Sequence, residues 1–427
     1  MRVAVLLFFA LAPLQWVALG STPLGVARLH QFAMLGFAAV VLAHYPLRRY
    51  APGLRTSAPF VIANIYLIGS TAAVLLYHGK VPAAAVQHLL YLTVFVALTG
   101  FFYQVATRRD PGMLRALRLA APILCTSFVL GLSYAMVVNG VNPAAVLGQT
   151  IAAADPQIFQ KELFKTAFAG FGLDDEQVSG NLRHEIFGSV VLSMLVSSWA
   201  MHFGPTPTGR ELVIHRISLL AGTLLLLLSL SRSVLIAAAV WPLLALFRSA
   251  RRGTLSTRQV GLIMASVVGL AVLSASGLGA VIFNRFATDT TGYEARAGNY
   301  QEAFAEMGDH WVTGGFDTVN ASTHNFVLDM LLRHGFLAAL PAAVIAVTLL
   351  VAFVVLALRL HREPEWLVPV VAVLALPLVR LFTSGGGLIP PNEWVALAFA
   401  AGVLAMWRRG GDRDVTPEHH REVAAAV

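Results

Sequence analysis

The sequence predicts an all-α polytopic membrane protein with about twelve transmembrane helices. Of its 427 residues, 57% are hydrophobic and only 12% are charged, whereas a typical soluble domain is about 25% charged. The mean hydropathy of the chain is +0.72. Basic residues form short clusters between apolar runs, which is the pattern of loops that flank membrane spans. This composition excludes a soluble fold, which would need many more polar residues to cover its surface.

Most apolar runs are close to the length of about 20 residues that crosses roughly 30 Å of hydrocarbon. In chain order the predicted spans are 3–20, 26–45, 59–78, 83–103, 114–138, 184–203, 212–230, 233–247, 260–283, 335–358, 366–382 and 392–407. They form a single bundle over residues 1–408, followed by a charged cytoplasmic tail at 409–427. The first run also resembles a signal peptide, because Arg2 precedes it and Ala18 and Gly20 end it. Its removal would not change the orientation of the other spans.

The distribution of charge orients the bundle. An N-terminus in the cytoplasm places 20 of the 30 Lys and Arg residues on the inside, but only 8 of the 22 Asp and Glu residues. The inside then carries +12 and the outside −4, which sum to the formal +8. Because cytoplasmic loops are rich in Lys and Arg, both termini are predicted to be cytoplasmic. The clusters lie between spans and form no continuous basic face, which argues against nucleic-acid binding in spite of a pI near 10.0.

Two long segments lie on the predicted outside. In residues 139–183, phenylalanines alternate with Lys161 and Lys165, a pattern that predicts an amphipathic helix at the membrane surface. Residues 284–323 form a large loop between the ninth and tenth spans. The single cysteine, Cys125, lies in an apolar run, so disulfides and cysteine-based metal sites are excluded.

Ionisable residues at the mouths of spans are functional candidates, because burying a charge in a membrane is costly. Arg232, Arg296 and His324 all lie on the predicted outside. Each also has a structural interpretation: Arg232 as an anchor at a helix end, Arg296 as a solvated loop charge, and His324 as part of a helix cap. Their convergence on one side favours a site for anion binding and proton transfer. The weaker candidates at outside mouths are Lys80, Arg183 and Arg380.

The surroundings of His324 resemble a known family. His324-Asn325, nine residues and then Gly335 match the H-[NSQ]-x9-G signature of bacterial O-antigen ligases. These are related to O-antigen polymerases and bacterial protein O-oligosaccharyltransferases. The last signature position, usually Gly, Thr or Tyr, is Ala338 here. Arg232, Arg296 and the large loop before the histidine also look like the family pattern, and the number of spans agrees across nearly the whole chain.

The resemblance implies a fold similar to the C-type membrane glycosyltransferases, in the inner membrane and with the active site on the periplasmic face. It implies transfer of O-antigen polysaccharide from undecaprenyl pyrophosphate to the outer core sugar of lipid A–core. His324 would then be the general base. Arg232 and Arg296 would bind the donor pyrophosphate, with Asn325 and Gly335 in support. No metal or cofactor is predicted; besides donor and acceptor, the expected partners are membrane lipids.

Three other functions remain open. A polymerase would join donor to donor. A protein O-oligosaccharyltransferase often carries an additional outside domain near its C-terminus, and no such domain is visible in this sequence. A transporter or channel for lipid-linked glycans would use the arginines to line a route without breaking any bond. Transporters commonly show repeated halves with broken helices, and the sequence has no such repeat.

Overall fold

Apolar helices make up most of the structure. The computed structural model describes residues 1–22, 25–45, 51–155, 158–159, 161–169, 171, 181–255, 257, 261, 279–281, 284, 291–315, 323, 325–383 and 391–410. The elements used below are α1 (Arg2–Leu11), β1 (Ala18–Thr22), β2 (Gly25–Arg28), α2 (Leu29–His44), α3 (Ala51–Thr56), α4 (Ala58–Tyr77), α5 (Ala83–Arg108), α6 (Pro111–Arg118), α7 (Ala120–Val138), α8 (Pro143–Ala153), α9 (Asn181–Phe203), α10 (Gly209–Ser229), α11 (Arg232–Arg252), α12 (Thr291–His310), α13 (Phe326–His334), α14 (Phe336–Arg359), α15 (Leu367–Ala372), α16 (Ala375–Thr383) and α17 (Pro391–Arg408). Short π-helical and 3-10 turns occupy Lys161–Thr166 and Leu360–Arg362.

Seven helical segments in the described ranges are long and apolar enough to cross a membrane. They are Ala58–Tyr77, Ala83–Arg108, Pro111–Val138, Glu185–Phe203, Gly209–Ser229, Arg232–Arg252 and Phe336–Arg362. Each agrees with a predicted span to within a few residues. The prediction of an all-α membrane protein is therefore confirmed by these apolar helices. A helix suits a membrane because it satisfies all of its backbone hydrogen bonds internally.

Among the remaining predicted spans, 392–407 coincides with the continuous helix α17, and the others are less regular. Shorter apolar helices occupy Arg2–Leu11, Leu29–His44 and Leu367–Phe382. Most of span 260–283 lies outside the described residues, so the count of twelve stays a prediction.

The first predicted span is wrong in its second half. Helix α1 ends at Leu11, and strand β1 begins at Ala18 and pairs antiparallel with β2. Pro13 accounts for the early end, because proline lacks the N–H that a continuing helix needs and its ring clashes with the preceding turn.

Helix α9 lies at the centre of the bundle, since 94% of its apolar window is buried. It contacts α6, α7, α10, α11, α15 and α17. Helix α14 lies at the periphery and exposes a row of large apolar side chains that includes Leu340, Val344, Val347 and Val351. A soluble protein seldom exposes so large an apolar face, whereas a membrane helix turns such a face to lipid.

Oppositely charged residues that the sequence predicts for the same side lie together in the structure. At the predicted inner end, Arg118 Nη1 lies 3.2 Å from Glu211 Oε2. At the predicted outer end, Arg28 Nη1 lies 3.4 Å from Glu185 Oε2. The contacts therefore agree with the alternating direction of the spans. Which end faces the cytoplasm stays a prediction.

The apolar face of the segment within 139–183 packs on protein. Phe159, Leu163 and Phe168 are buried, and the ring of Phe168 stacks on Trp16 with centroids 5.1 Å apart. This contact joins the segment to the turn that follows α1. Within the predicted loop 284–323, the structure describes helix α12 and the residues up to 315.

Helix α17 packs along α5 with very little space between the two backbones. A Cβ atom added to Gly402 would lie 2.5 Å from the carbonyl oxygen of Thr99 and 2.8 Å from the backbone nitrogen of Tyr103. Small residues permit this close approach of helices in membranes. The glycine therefore sets the distance between α5 and α17.

We expect Gly402→Val to lower the thermal midpoint of the detergent-solubilised protein by several degrees, because overpacking against backbone typically costs about 1–3 kcal/mol or more. Gly69→Val is the matched control, since Gly69 is also in a helix but has no neighbouring atom within 4 Å. Tryptophan fluorescence during heating measures both variants. Equal midpoints would contradict the assigned role of Gly402.

Candidate functional site

The residues on both sides of His324 are tied to helix α13, while His324 itself lies outside the described residues. Thr323 is buried, and its N–H and its hydroxyl both donate to Asp329 Oδ1, each at 2.8 Å. The N–H of Asn325 donates to Thr323 Oγ1 at 3.2 Å. A buried aspartate one turn into the helix therefore anchors the chain that leads to the motif.

Asn325 caps the same helix. Its Oδ1 accepts hydrogen bonds from the N–H groups of Val327 (3.0 Å) and Leu328 (3.3 Å). These N–H groups belong to the first turn, where a helix has no internal acceptors. The cap uses only the carbonyl side of the amide. The Nδ2 donor group of Asn325 is not needed for capping.

Gly335, the glycine of the motif, permits a close backbone contact. Its φ angle is +73°, and an added Cβ would overlap the carbonyl oxygen of Val312. The N–H of Phe336 donates to the carbonyl of Trp311 at 2.8 Å. The residues that follow α12 therefore lie directly against the end of the motif helix, which a side chain at position 335 would prevent.

Arg232 is the first residue of α11, at a tight turn between α10 and α11. Leu230 has a left-handed conformation with φ +48°, and the N–H of Ser231 donates to Ser229 Oγ at 3.1 Å. The turn places Arg232, which is half-buried, where two helices meet. Helix α11 packs on α16, which carries Arg380.

Helix α16 connects α11, which begins at Arg232, with α13, the motif helix between Asn325 and Gly335. It contacts α11, α13, α14 and α17. Arg380 Nε lies 3.5 Å from Glu393 Oε1, and the two side chains are only 14% and 6% exposed. Arg380 Nη1 and Glu393 Oε2 are buried and have no hydrogen-bond partner among the described residues. The weaker candidate Arg380 thus belongs to a buried ion pair next to both elements.

Sequence reasoning missed the acidic and amide partners at this end. Glu185 is paired with Arg28, and its backbone carbonyl accepts a hydrogen bond from Asn392 Nδ2 at 3.1 Å. Asn392 and Glu393 lie in the first turn of α17, and Glu185 lies one turn into α9. The rule that selects ionisable residues at span mouths would have found both glutamates if it had been applied to acids as well as to cations.

The structure describes the other candidates unevenly. Lys80 is exposed after α4, two residues beyond His78, whose Nε2 lies 3.3 Å from the carbonyl oxygen of Thr313. Lys80 therefore lies near the chain that follows α12. The backbones of Arg183 and Arg296 belong to α9 and α12, and their side chains lie outside the described residues.

A second histidine, His334, lies near His78 at the end of α13. Burial, together with the charges of Arg333 and His78, lowers the pKa of His334 to about 4. Its imidazole is therefore neutral at physiological pH. His334 thus contributes no positive charge to this corner.

The described part of the chain holds no group of three or more His, Cys, Asp or Glu residues that could bind a metal ion. Metal independence stays a prediction, since His324 and most of its preceding loop lie outside the described residues.

The chain matches no protein-family model and no curated protein.

The Arg380–Glu393 pair predicts a non-additive mutational response. We expect Arg380→Met and Glu393→Met each to destabilise the protein by about 3–5 kcal/mol, because each leaves a buried charge without its partner. The double variant should recover much of this loss. Thermal midpoints in detergent measure the effect, with Arg216→Met, at an exposed position of α10, as the control. Additive losses in the double variant would show that the two residues are not coupled.

Proposed function

We propose that this protein transfers O-antigen polysaccharide from undecaprenyl pyrophosphate to the outer core sugar of lipid A–core, on the periplasmic face of the bacterial inner membrane. The observation that supports this most is the way the motif is built. Asn325 caps α13, and Gly335 lets the preceding loop approach the end of α13. Two of the signature residues therefore fix the two ends of α13, the helix that follows His324, and a preorganised catalytic site requires rigid support of this kind.

In this proposal, arginines stabilise the leaving group. When the bond between the sugar and pyrophosphate breaks, negative charge develops on the diphosphate and must be stabilised as it forms. Guanidinium groups are permanently charged and match phosphate oxygens with two parallel hydrogen bonds. We assign Arg232 and Arg296 to the donor pyrophosphate. Arg380 is the next candidate, because its helix contacts both α11 and α13.

His324 acts as the general base. An imidazole with its ordinary pKa near 6.5 can accept the proton of the acceptor hydroxyl. The acceptor oxygen, as it loses this proton, attacks the anomeric carbon. A new C–O bond forms, and the bond to the pyrophosphate breaks. The electron pair leaves with the diphosphate. One direct displacement inverts the configuration at the anomeric carbon, and neither a metal nor a covalent glycosyl-enzyme takes part.

One reconstitution separates this function from its alternatives. The purified protein in liposomes receives lipid-linked donor and lipid A–core. Glycosylated lipid A–core identifies a ligase, and a longer lipid-linked glycan identifies a polymerase. A glycosylated polypeptide, when protein acceptor is added, identifies an oligosaccharyltransferase. Movement of donor between leaflets without any covalent change identifies a transporter.

We expect His324→Ala to lower ligase activity by about 10²–10⁴-fold, the usual contribution of a general base. Arg232→Lys and Arg296→Lys should impair use of the donor, because lysine keeps the charge but loses the bidentate geometry. Product formation is measured in the reconstituted system, with Arg216→Lys as the control. Full activity of His324→Ala, or inhibition by chelator that a divalent ion reverses, would contradict the mechanism.

Asn325 allows its two roles to be separated. Asn325→Ala should cost about 1 kcal/mol of stability through loss of the cap. Asn325→Asp keeps the capping oxygen but replaces Nδ2, so we expect wild-type stability with reduced transfer if Nδ2 orients His324. Thermal midpoint and activity are measured on the same preparations. A fully active Asn325→Asp would show that Asn325 serves only as a cap.

A further inference from the structure

A large cavity lies at the end of the bundle opposite the candidate site. Its volume is about 1610 Å³, which exceeds the roughly 300–1,000 Å³ of ordinary small-molecule pockets. It is lined by the start of α4, the connection between α9 and α10, the second half of α14 and the end of α17. None of the residues assigned to glycan transfer lines it.

One wall of the cavity is a regular apolar stripe that ends in a positive charge. Val347, Val351 and Val355 recur every four residues on one face of α14, and Arg359 continues the same spacing. All four side chains are exposed. From Val347 to Arg359 the helix rises about 18 Å, which is close to half of a hydrocarbon layer of roughly 30 Å. The stripe therefore has the length of one lipid leaflet.

Two further arginines lie at the same rim, Arg109 and Arg408. The guanidinium of Arg109 lies over the ring of Phe203, 5.0 Å from its centroid. Among the described residues, neither Arg359 nor Arg408 forms an ion pair. The rim therefore concentrates positive charge next to an apolar wall.

A single acidic residue, Glu363, lines the cavity in the described ranges, and its carboxylate accepts a hydrogen bond from Trp407 Nε1 at 3.2 Å. Trp366 also lines the cavity. Tryptophan is enriched at the level of lipid headgroups, where its ring meets apolar chains and its N–H meets polar groups. Trp366 is buried in the protein, whereas the half-buried Trp407 at the rim supports a headgroup depth for the arginines.

We propose that this cavity binds an anionic phospholipid, with its phosphate at Arg109, Arg359 and Arg408 and an acyl chain along the valines of α14. Charge complementarity and the length of the apolar wall support this occupant over a soluble anion, which would not use the wall. Basic pockets between transmembrane helices are a known means of binding anionic headgroups. The proposal gives these arginines a role beyond orienting the chain, and it does not depend on glycan transfer.

The test uses the full-length protein, delipidated in detergent and analysed by native mass spectrometry. Phosphatidylglycerol and phosphatidylcholine with identical acyl chains are the probes. We expect the protein to bind phosphatidylglycerol in preference to phosphatidylcholine. In a triple variant that lacks the three rim arginines, we expect phosphatidylglycerol to bind on the order of a hundredfold more weakly. That variant combines Arg109→Gln, Arg359→Gln and Arg408→Gln. The control combines Arg210→Gln, Arg216→Gln and Arg251→Gln, which are exposed at the same end but do not line the cavity.

A second variant tests the wall independently of charge. Val351→Trp fills part of the cavity next to the apolar stripe, at an exposed position. It should weaken binding of phosphatidylglycerol without changing the thermal midpoint. Equal binding of the two lipids, or equal loss in both arginine triple variants, would overturn the proposal. Complete displacement by inorganic phosphate would show a site for a free anion instead. Stronger binding after removal of residues 411–427 would show that the chain's own tail is the occupant.

Discussion

Two largely buried ion pairs at one end of the bundle constrain the arrangement of the helices around the candidate site. Arg28 pairs with Glu185 and Arg380 pairs with Glu393, and Asn392 joins the two pairs through the backbone carbonyl of Glu185. Charges in a low-dielectric interior are tolerated only when each is held by a partner of opposite sign. The start of α2 and the helices α9, α16 and α17 must therefore meet at this point, or a charge is left without compensation.

This constraint reaches the candidate site through α16. That helix carries Arg380 and also contacts α11, which begins at Arg232, and α13, which begins after Asn325. The motif helix is fixed at both ends by backbone geometry: an asparagine cap at its start, and at its end a glycine whose lack of a Cβ admits Val312. Rigid support of this kind is what a catalytic group needs in order to be held in a productive orientation.

The two ends of the bundle use their charges differently. At the end with the candidate site, glutamates pair with arginines and are buried with them. At the opposite end Arg118 is also buried and paired with Glu211, but Arg109, Arg359 and Arg408 line an open cavity whose apolar wall has the length of a lipid leaflet. The arginines at this end therefore have two roles. They contribute to the positive charge that orients the chain, and in our proposal they also bind an anionic lipid.

The sequence by itself determined the long helices, because the membrane demands that each crossing segment satisfy its own backbone hydrogen bonds and expose apolar side chains. Those properties are local, and α4, α5, α10 and α14 accordingly agree with the predicted spans. It also singled out Asn325 and Gly335 through the family signature, and the structure shows their local roles as a helix cap and as a residue with a positive φ angle. The end of α1 could have been read from Pro13.

Only the tertiary structure decided which distant residues meet. The sequence marks Arg380 only as a cation at the mouth of a span, and the structure gives it a glutamate partner from α17. The apolar face around Phe168 was predicted for the membrane surface, and the structure packs it on Trp16. Arginines that are far apart in the chain line one cavity. These contacts depend on how the helices pack against one another, and hydropathy and spacing within a segment carry no information about the neighbour across the interface.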